Sequence, residues 1–111
     1  MDANRELKSM EAMEYQKNNG AVMRAILTTH RRGWFCIKDL VNLLSAYRMT
    51  LDDIMDAVIY FEDMGYVIVR DSTTKEKASA CDLEYDEIEL RLFGIGHTAA
   101  RGIIEDEGIS L

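Results

Sequence analysis

One stretch limits the fold of this chain more than any other. Leu51, Ile54, Met55, Val58, Phe61 and Met64 fall at i, i+3, i+4, i+7, i+10 and i+13, the spacing of one apolar stripe along an α-helix. Thr50 stands at the head of the stripe with Asp53 three residues on, the pattern of a capping box. Asp52 and Asp53 also suit the positive end of the helix dipole. Gly65 ends the helix. Tyr66-Val67-Ile68-Val69-Arg70 follows, β-branched and extended in character, and Ile88, Leu90 and Leu92 alternate with Glu89, Arg91 and Phe93 as its partner strand. The polar segment from Asp71 to Glu87 between them is too long for a tight hairpin turn.

Upstream, residues 5–17 read as a helix with Leu7, Met10 and Met13 on a weakly apolar face. Asn18-Asn19-Gly20 reads as a break, and Ala21 to His30 as a second helix carrying Val22 and Ile26. Arg31-Arg32-Gly33 is a turn, Trp34-Phe35-Cys36-Ile37 a short extended stretch, and Lys38 to Ala46 a short helix. Beyond the second strand, Thr98, Ala99 and Ala100 between Gly96 and Gly102 fit one or two helical turns. The chain has no proline, so glycine must terminate its helices. The expected class is mostly α with a small antiparallel β-sheet (α+β). In detail this is a winged helix-turn-helix with an extra N-terminal helix and a short C-terminal helix. Residues 1–19 form the added helix and 20–111 the winged-helix domain, with Lys38–Ala46 and Leu51–Met64 as the turn-containing pair and Tyr66–Phe93 as the wing.

Composition narrows the function. At 111 residues, 48% hydrophobic, the chain holds one packed core and is too apolar for a disordered acidic tail. Its net charge of −7 is unevenly divided. Residues 1–16 hold two basic groups against four acidic, residues 17–48 six against one, and residues 49–111 five against fifteen. Such a division presents a basic face and an acidic face. No stretch reaches the ~18–20 apolar residues of a membrane span, and no apolar leader opens the chain, so a soluble cytoplasmic protein is expected. Cys36 and Cys81 form neither a disulfide framework nor a zinc motif, and are read as reduced thiols.

A DNA-reading winged helix lays its second turn helix in the major groove. Here the outward residues of that helix are Asp52, Asp53, Asp56, Tyr60 and Asp63, and none is basic. Carboxylates facing phosphates without a cation between them disfavour groove insertion. The wing carries Lys75 and Lys77 among acids. The remaining nucleic-acid or partner-binding candidates are Arg24, Arg31, Arg32, Lys38 and Arg48. Trp34 and Phe35 follow the arginines as some single-strand stacking platforms do, although core positions are the commoner use of that spacing.

Residues for catalysis are not gathered by this sequence. His30 and His97 lie in different elements with no metal-ligand spacing. The acids Asp82, Glu84, Asp86, Glu87 and Glu89 lack the glycine and ligand alternation of a calcium loop. Gly94-Ile95-Gly96 is a bare GxG without its βαβ setting. We expect no enzyme, no cofactor and no metal.

The spacing of Leu92, Gly96, Ala100, Gly102, Gly108 and Ile109 resembles the ending of a family of small proteins of Mu-like phages and prophages. There an LTxxGxxxAxG segment is followed five residues later by proline, glycine and a hydrophobic residue. The stretch Val22–Val69 is similar in its order of elements. Phe93 departs from the family's threonine and Glu107 from its proline. The resemblance implies a winged-helix fold, labelled in that family as ArsR-like transcriptional regulation, and brings no catalytic residues. Two functions are expected from it and from the charge pattern. One is a phage or prophage regulator that binds double-stranded DNA as a dimer. The alternative is a winged-helix protein-interaction module that does not bind DNA, with a phage or host protein as partner. In either case a homodimer is expected through Leu7, Met10 and Met13, since methionine suits an adaptable contact surface.

Overall fold

The structure is a computed structural model that describes residues 3–30, 33–94, 96, 106, 108 and 109, the side chains of 3–9 and 30 excepted. Helix α1 spans Ala3–His30, strand β1 Phe35–Cys36, and α2 Ile37–Leu44, which tightens into a 3-10 turn at Ser45–Tyr47. Helix α3 spans Leu51–Asp63, β2 Val67–Asp71 and β3 Ile88–Leu92, with two short 3-10 turns, Ala80–Asp82 and Tyr85–Glu87, in the loop between the strands. The fold is α+β; among the described residues three helices pack on a three-stranded antiparallel sheet ordered β1-β3-β2.

Helix α3 follows from its sequence. The Thr50 hydroxyl accepts from the Asp53 amide at 3.1 Å and the Asp53 carboxylate accepts from the Thr50 amide at 3.0 Å, so two otherwise orphaned donors are satisfied. The buried positions are Ile54, Ala57, Val58 and Phe61, while Leu51 and Met55 are half-buried and Met64 lies just past the end and is exposed. The apolar stripe is therefore shorter than its spacing suggests and shifted toward Ala57.

The strands alternate as a sheet covered on one face must. Val67, Val69, Ile88, Leu90 and Leu92 point into the core; Ile68, Arg70, Glu89 and Arg91 lie on the other face and are half-buried. Register places Val69 and Phe35 on either side of Leu90, and Arg70 opposite Glu89. Val22, Met23 and Ile26 of α1 and Ile37, Leu40 and Leu44 of α2 complete the core. The long loop is tied to α3, because the Glu62 carboxylate accepts from the Ser79 hydroxyl and the Ala80 amide.

One expectation about the helices is overturned. There is no break at Asn18-Asn19-Gly20; α1 runs unbroken for 28 residues, and the division expected between residues 19 and 20 falls in mid-helix. Asn19 and Gly20 are both buried. Glycine costs a helix interior about 1 kcal/mol relative to alanine, and packing of this turn into the core offsets it. Smaller shifts occur at element ends. Ile37 opens α2 rather than closing β1, and Tyr66 precedes β2. The short helix expected around Thr98–Ala100 lies outside the described residues. Gly96 itself is buried with no room for a side chain, since a Cβ there would collide with the backbone carbonyl of Tyr66.

Candidate interaction surfaces

The described basic candidates sit on several different elements. Arg24 on α1 and Arg48 after the 3-10 turn stand on either side of Tyr47. Arg24 and Tyr47 line a groove of about 320 Å³ with Ala21, Leu43 and Leu44. Arg48 and Tyr47 line a second groove of about 570 Å³ with Met13, Lys17 and Asp53. Lys38 is exposed in the first turn of α2, at the opposite end from Arg48. Arg31 and Arg32 lie outside the described residues, as does the side chain of Leu7. Arg48 adopts φ 60°, a left-handed conformation that disfavours a side chain with a Cβ; its amide closes the 3-10 turn on the Ser45 carbonyl at 3.2 Å.

Cations on β2 and in the loop after it are partly spent within the fold. Lys75 Nζ and Arg70 Nε each meet Glu89 Oε1 at 2.8 Å. Lys75, and Arg70 with it, hold the Glu89 carboxyl below its usual pKa against the burial that would raise it. The Arg70 guanidinium also lies over the Trp34 ring at 4.0 Å, with Arg91 at 5.7 Å from the same ring. Trp34 is thus a half-buried plate under arginine on the outer sheet face, whereas Phe35 is core. Lys77 remains exposed. On α3, Asp52, Asp56 and Asp63 are exposed, as the sequence indicated, but Asp53 and Tyr60 are half-buried.

Exposed apolar side chains gather elsewhere. Met10 and Met13 on α1 are 65% and 68% exposed, and Tyr47 is 72% exposed. Helical spacing puts Met10, Glu14, Lys17 and Ala21 (i, i+4, i+7 and i+11) on one outer stripe, opposite the core-facing Asn19, Val22, Met23 and Ile26.

The most elaborate polar cluster escaped the sequence reading. The Tyr60 hydroxyl from α3 donates to Asp106 Oδ1 and the Tyr66 hydroxyl to Asp106 Oδ2. The Gly108 amide also donates to Oδ1, at 2.7 Å. The Asn19 side-chain amide, fully buried in α1, donates to the Gly108 carbonyl at 2.8 Å, while its own Oδ1 has no partner among the described residues. Ile109 packs against the core and its amide closes a turn on the Asp106 carbonyl at 3.1 Å. A Cβ at Gly108 would sit 2.5 Å from the Tyr60 ring, so any side chain there would have to displace that ring. Burial opposes the charge on Asp106, but the two hydroxyls and the Gly108 amide outweigh it and hold the carboxyl below its usual pKa. Burial, and then the Asp106 carboxylate, push both tyrosines up, Tyr66 to about 12. A tyrosine on the acidic outward face of α3 was the one available signal.

Among the described residues no three His, Cys, Asp or Glu side chains are grouped to hold a metal. Cys36 and Cys81 are free thiols, half-buried and exposed. His97 and the His30 side chain lie outside the described residues. No helix among those residues is long and apolar enough to cross a membrane. The chain matches no protein family, curated protein or solved structure.

Proposed function

We propose that this chain is a non-enzymatic protein-interaction module on the winged-helix plan, working as a homodimer through the outer stripe of α1. The observation that carries the reading is the stripe itself. Met10, 65% exposed, lies on it with a Glu and a Lys three residues apart, and Met13, 68% exposed, borders it. A two-fold axis passing between residues 15 and 16 sets two antiparallel copies of α1 in register. Met10 then faces Ala21 of the partner subunit, and Glu14 faces Lys17 of the partner subunit. The pairing is self-complementary in size and in charge, as a two-fold interface requires. The two free thiols suit a reducing cytoplasm, and a phage or host protein is the further partner class that the sequence resemblance brings.

Sedimentation across a range of protein concentrations tests this. A dimer is expected for the wild type, and monomers for Met10→Glu/Met13→Glu and for Lys17→Glu. Restored association on mixing Lys17→Glu with Glu14→Lys would support the register. A wild type that stays monomeric throughout removes the reading.

A second reading is favoured by Arg24 and Arg48, two exposed cations flanking Tyr47. A regulator would use them to approach duplex DNA along the side of α1, rather than by inserting the acidic helix α3. Its test is duplex binding at two salt concentrations. Affinity indifferent to salt, or unchanged in Arg24→Ala/Arg48→Ala, removes it.

A further inference from the structure

We propose that Asn19, Tyr60 and Tyr66 form a binding socket for a peptide turn of the type Asp-x-Gly-apolar, and that its preferred occupant is a basic segment of another protein. Asp106, Gly108 and Ile109 of this chain fill the socket in cis. Each feature of that turn is read by a separate group. Both carboxylate oxygens of Asp106 accept a tyrosine hydroxyl. The Gly108 carbonyl takes the Asn19 amide, the missing Cβ admits the Tyr60 ring, and Ile109 enters the apolar cluster. The readers come from α1, α3 and the residue before β2, 40 to 89 positions away in sequence. A rigid frame therefore receives a separate short segment, the arrangement by which proteins recognise peptides.

Two observations indicate that the cis segment is a poor fit. First, Asn19 Oδ1 is fully buried and unpartnered among the described residues. An acceptor left unmade in that position is costly, and a different occupant could supply its donor. Second, an acidic groove lies next to the socket, joined to it through Tyr15. Tyr15 packs edge-on against Tyr60, with ring centres 6.0 Å apart. The same Tyr15 lines a groove of about 330 Å³ with Glu11, Glu14, Asn18, Asp53 and Asp56. The groove's four carboxylates favour a basic neighbour, whereas the sequence on either side of Asp106 is acidic, Glu105 and Glu107. A turn flanked by lysine or arginine keeps every socket contact and adds attraction to the groove. Such a partner displaces the cis segment in spite of the high effective concentration that tethering gives the latter.

The test uses the full chain and three short peptides. One carries Asp-Lys-Gly-Ile between lysines, the second replaces its Asp with Asn, and the third is Glu-Asp-Glu-Gly-Ile as in residues 105–109. Binding is read by anisotropy and by the ring-carbon signals of Tyr60 and Tyr66 in the wild type, which needs no variant to fold. The lysine-flanked Asp peptide is expected to bind at least about tenfold tighter than either other peptide, a difference of about 1.4 kcal/mol, and to move both tyrosine signals. Its advantage over the acidic peptide shrinks in Glu11→Gln/Asp56→Asn and in high salt. The chain's Asp106→Asn variant, with a weakened cis occupant, binds it tighter than the wild type. Equal binding of the Asp and Asn peptides overturns the socket and leaves only an acidic surface attracting a cation. Binding that leaves Tyr60 and Tyr66 unmoved, or no binding at all, overturns it equally.

Discussion

Removing one hydroxyl from the Asp106 cluster gives the sharpest quantitative test of the structure. Tyr66 is 2% exposed, so Tyr66→Phe leaves the ring's packing intact and deletes only its bond to Asp106 Oδ2. A hydrogen bond to a charged group is worth about 1.5–3 kcal/mol. Asp106 is half-buried and regains some water when the hydroxyl is lost, which places the expected loss near the low end, about 1.5–2 kcal/mol. In a domain of this size that lowers the melting temperature by about 4 °C per kcal/mol. The assay is urea unfolding of wild type, Tyr66→Phe, Asp106→Asn and the double variant. The cycle isolates the pair, and a coupling of about 1 kcal/mol or more is expected. The pH dependence has a definite sign. Asp106 has its pKa lowered in the folded chain, so its contribution is complete above the ordinary aspartate value, about 3.9. It is lost as pH falls through the lower folded value. Tyr66 is raised to about 12, so its contribution is complete below about 10 and is lost as pH climbs from there through 12. The penalty of Tyr66→Phe should therefore be greatest on the plateau between about 4 and 10 and fade at both ends. A penalty independent of pH, or a coupling near zero, refutes a carboxylate held by this hydroxyl.

Three further substitutions check separate parts of the structure by thermal or urea unfolding. Gly108→Ala forces a Cβ to within 2.5 Å of the Tyr60 ring and should destabilise by about 1–3 kcal/mol, as overpacking does; a neutral result would falsify the docking of this turn. Thr50→Ala removes one arm of a complete capping box and should lose about 1 kcal/mol. Arg48→Gly relieves the residue at φ 60° and should gain about 0.5–1 kcal/mol, the relief of left-handed strain less the extra chain entropy of glycine.

How much of this was legible depended on the range of the forces involved. The capping box and stripe of α3 are local, so Thr50, Asp53, Ile54, Val58 and Phe61 read correctly from spacing alone. Alternation in Ile88, Leu90 and Leu92 gave β3 for the same reason. The acidic outer face of α3 was legible too, with Asp52, Asp56 and Asp63 exposed. What spacing could not show was any contact across the fold. Lys75 looked like a free wing cation, yet it is bound to Glu89 fourteen residues later. Trp34 was weighed as core or platform, and it is neither alone, because Arg70 from another strand covers it. The Tyr60–Tyr66–Asp106 cluster joins residues with no shared periodicity, and nothing short of the folded chain brings them together.

Asn18-Asn19-Gly20 shows why the local reading failed where it did. By propensity these are three poor helix residues in a row, and a break there was a sound inference for an isolated peptide. In the folded chain the interior supplies what the helix lacks. Asn19 is buried and bonded to Gly108, and Gly20 is buried beside it. The neighbouring Val22, Met23 and Ile26 anchor the next turn in the core. The weakest turn of α1 is thus the one tied to the 106–109 turn. The outer stripe assigned to dimerisation runs past it on the opposite side, with Glu14 and Lys17 just before and Ala21 just after. Continuity of that stripe depends on a helix that local preference alone would interrupt. The two surfaces proposed for this protein therefore share one physical support, the packing that keeps residues 18–20 helical.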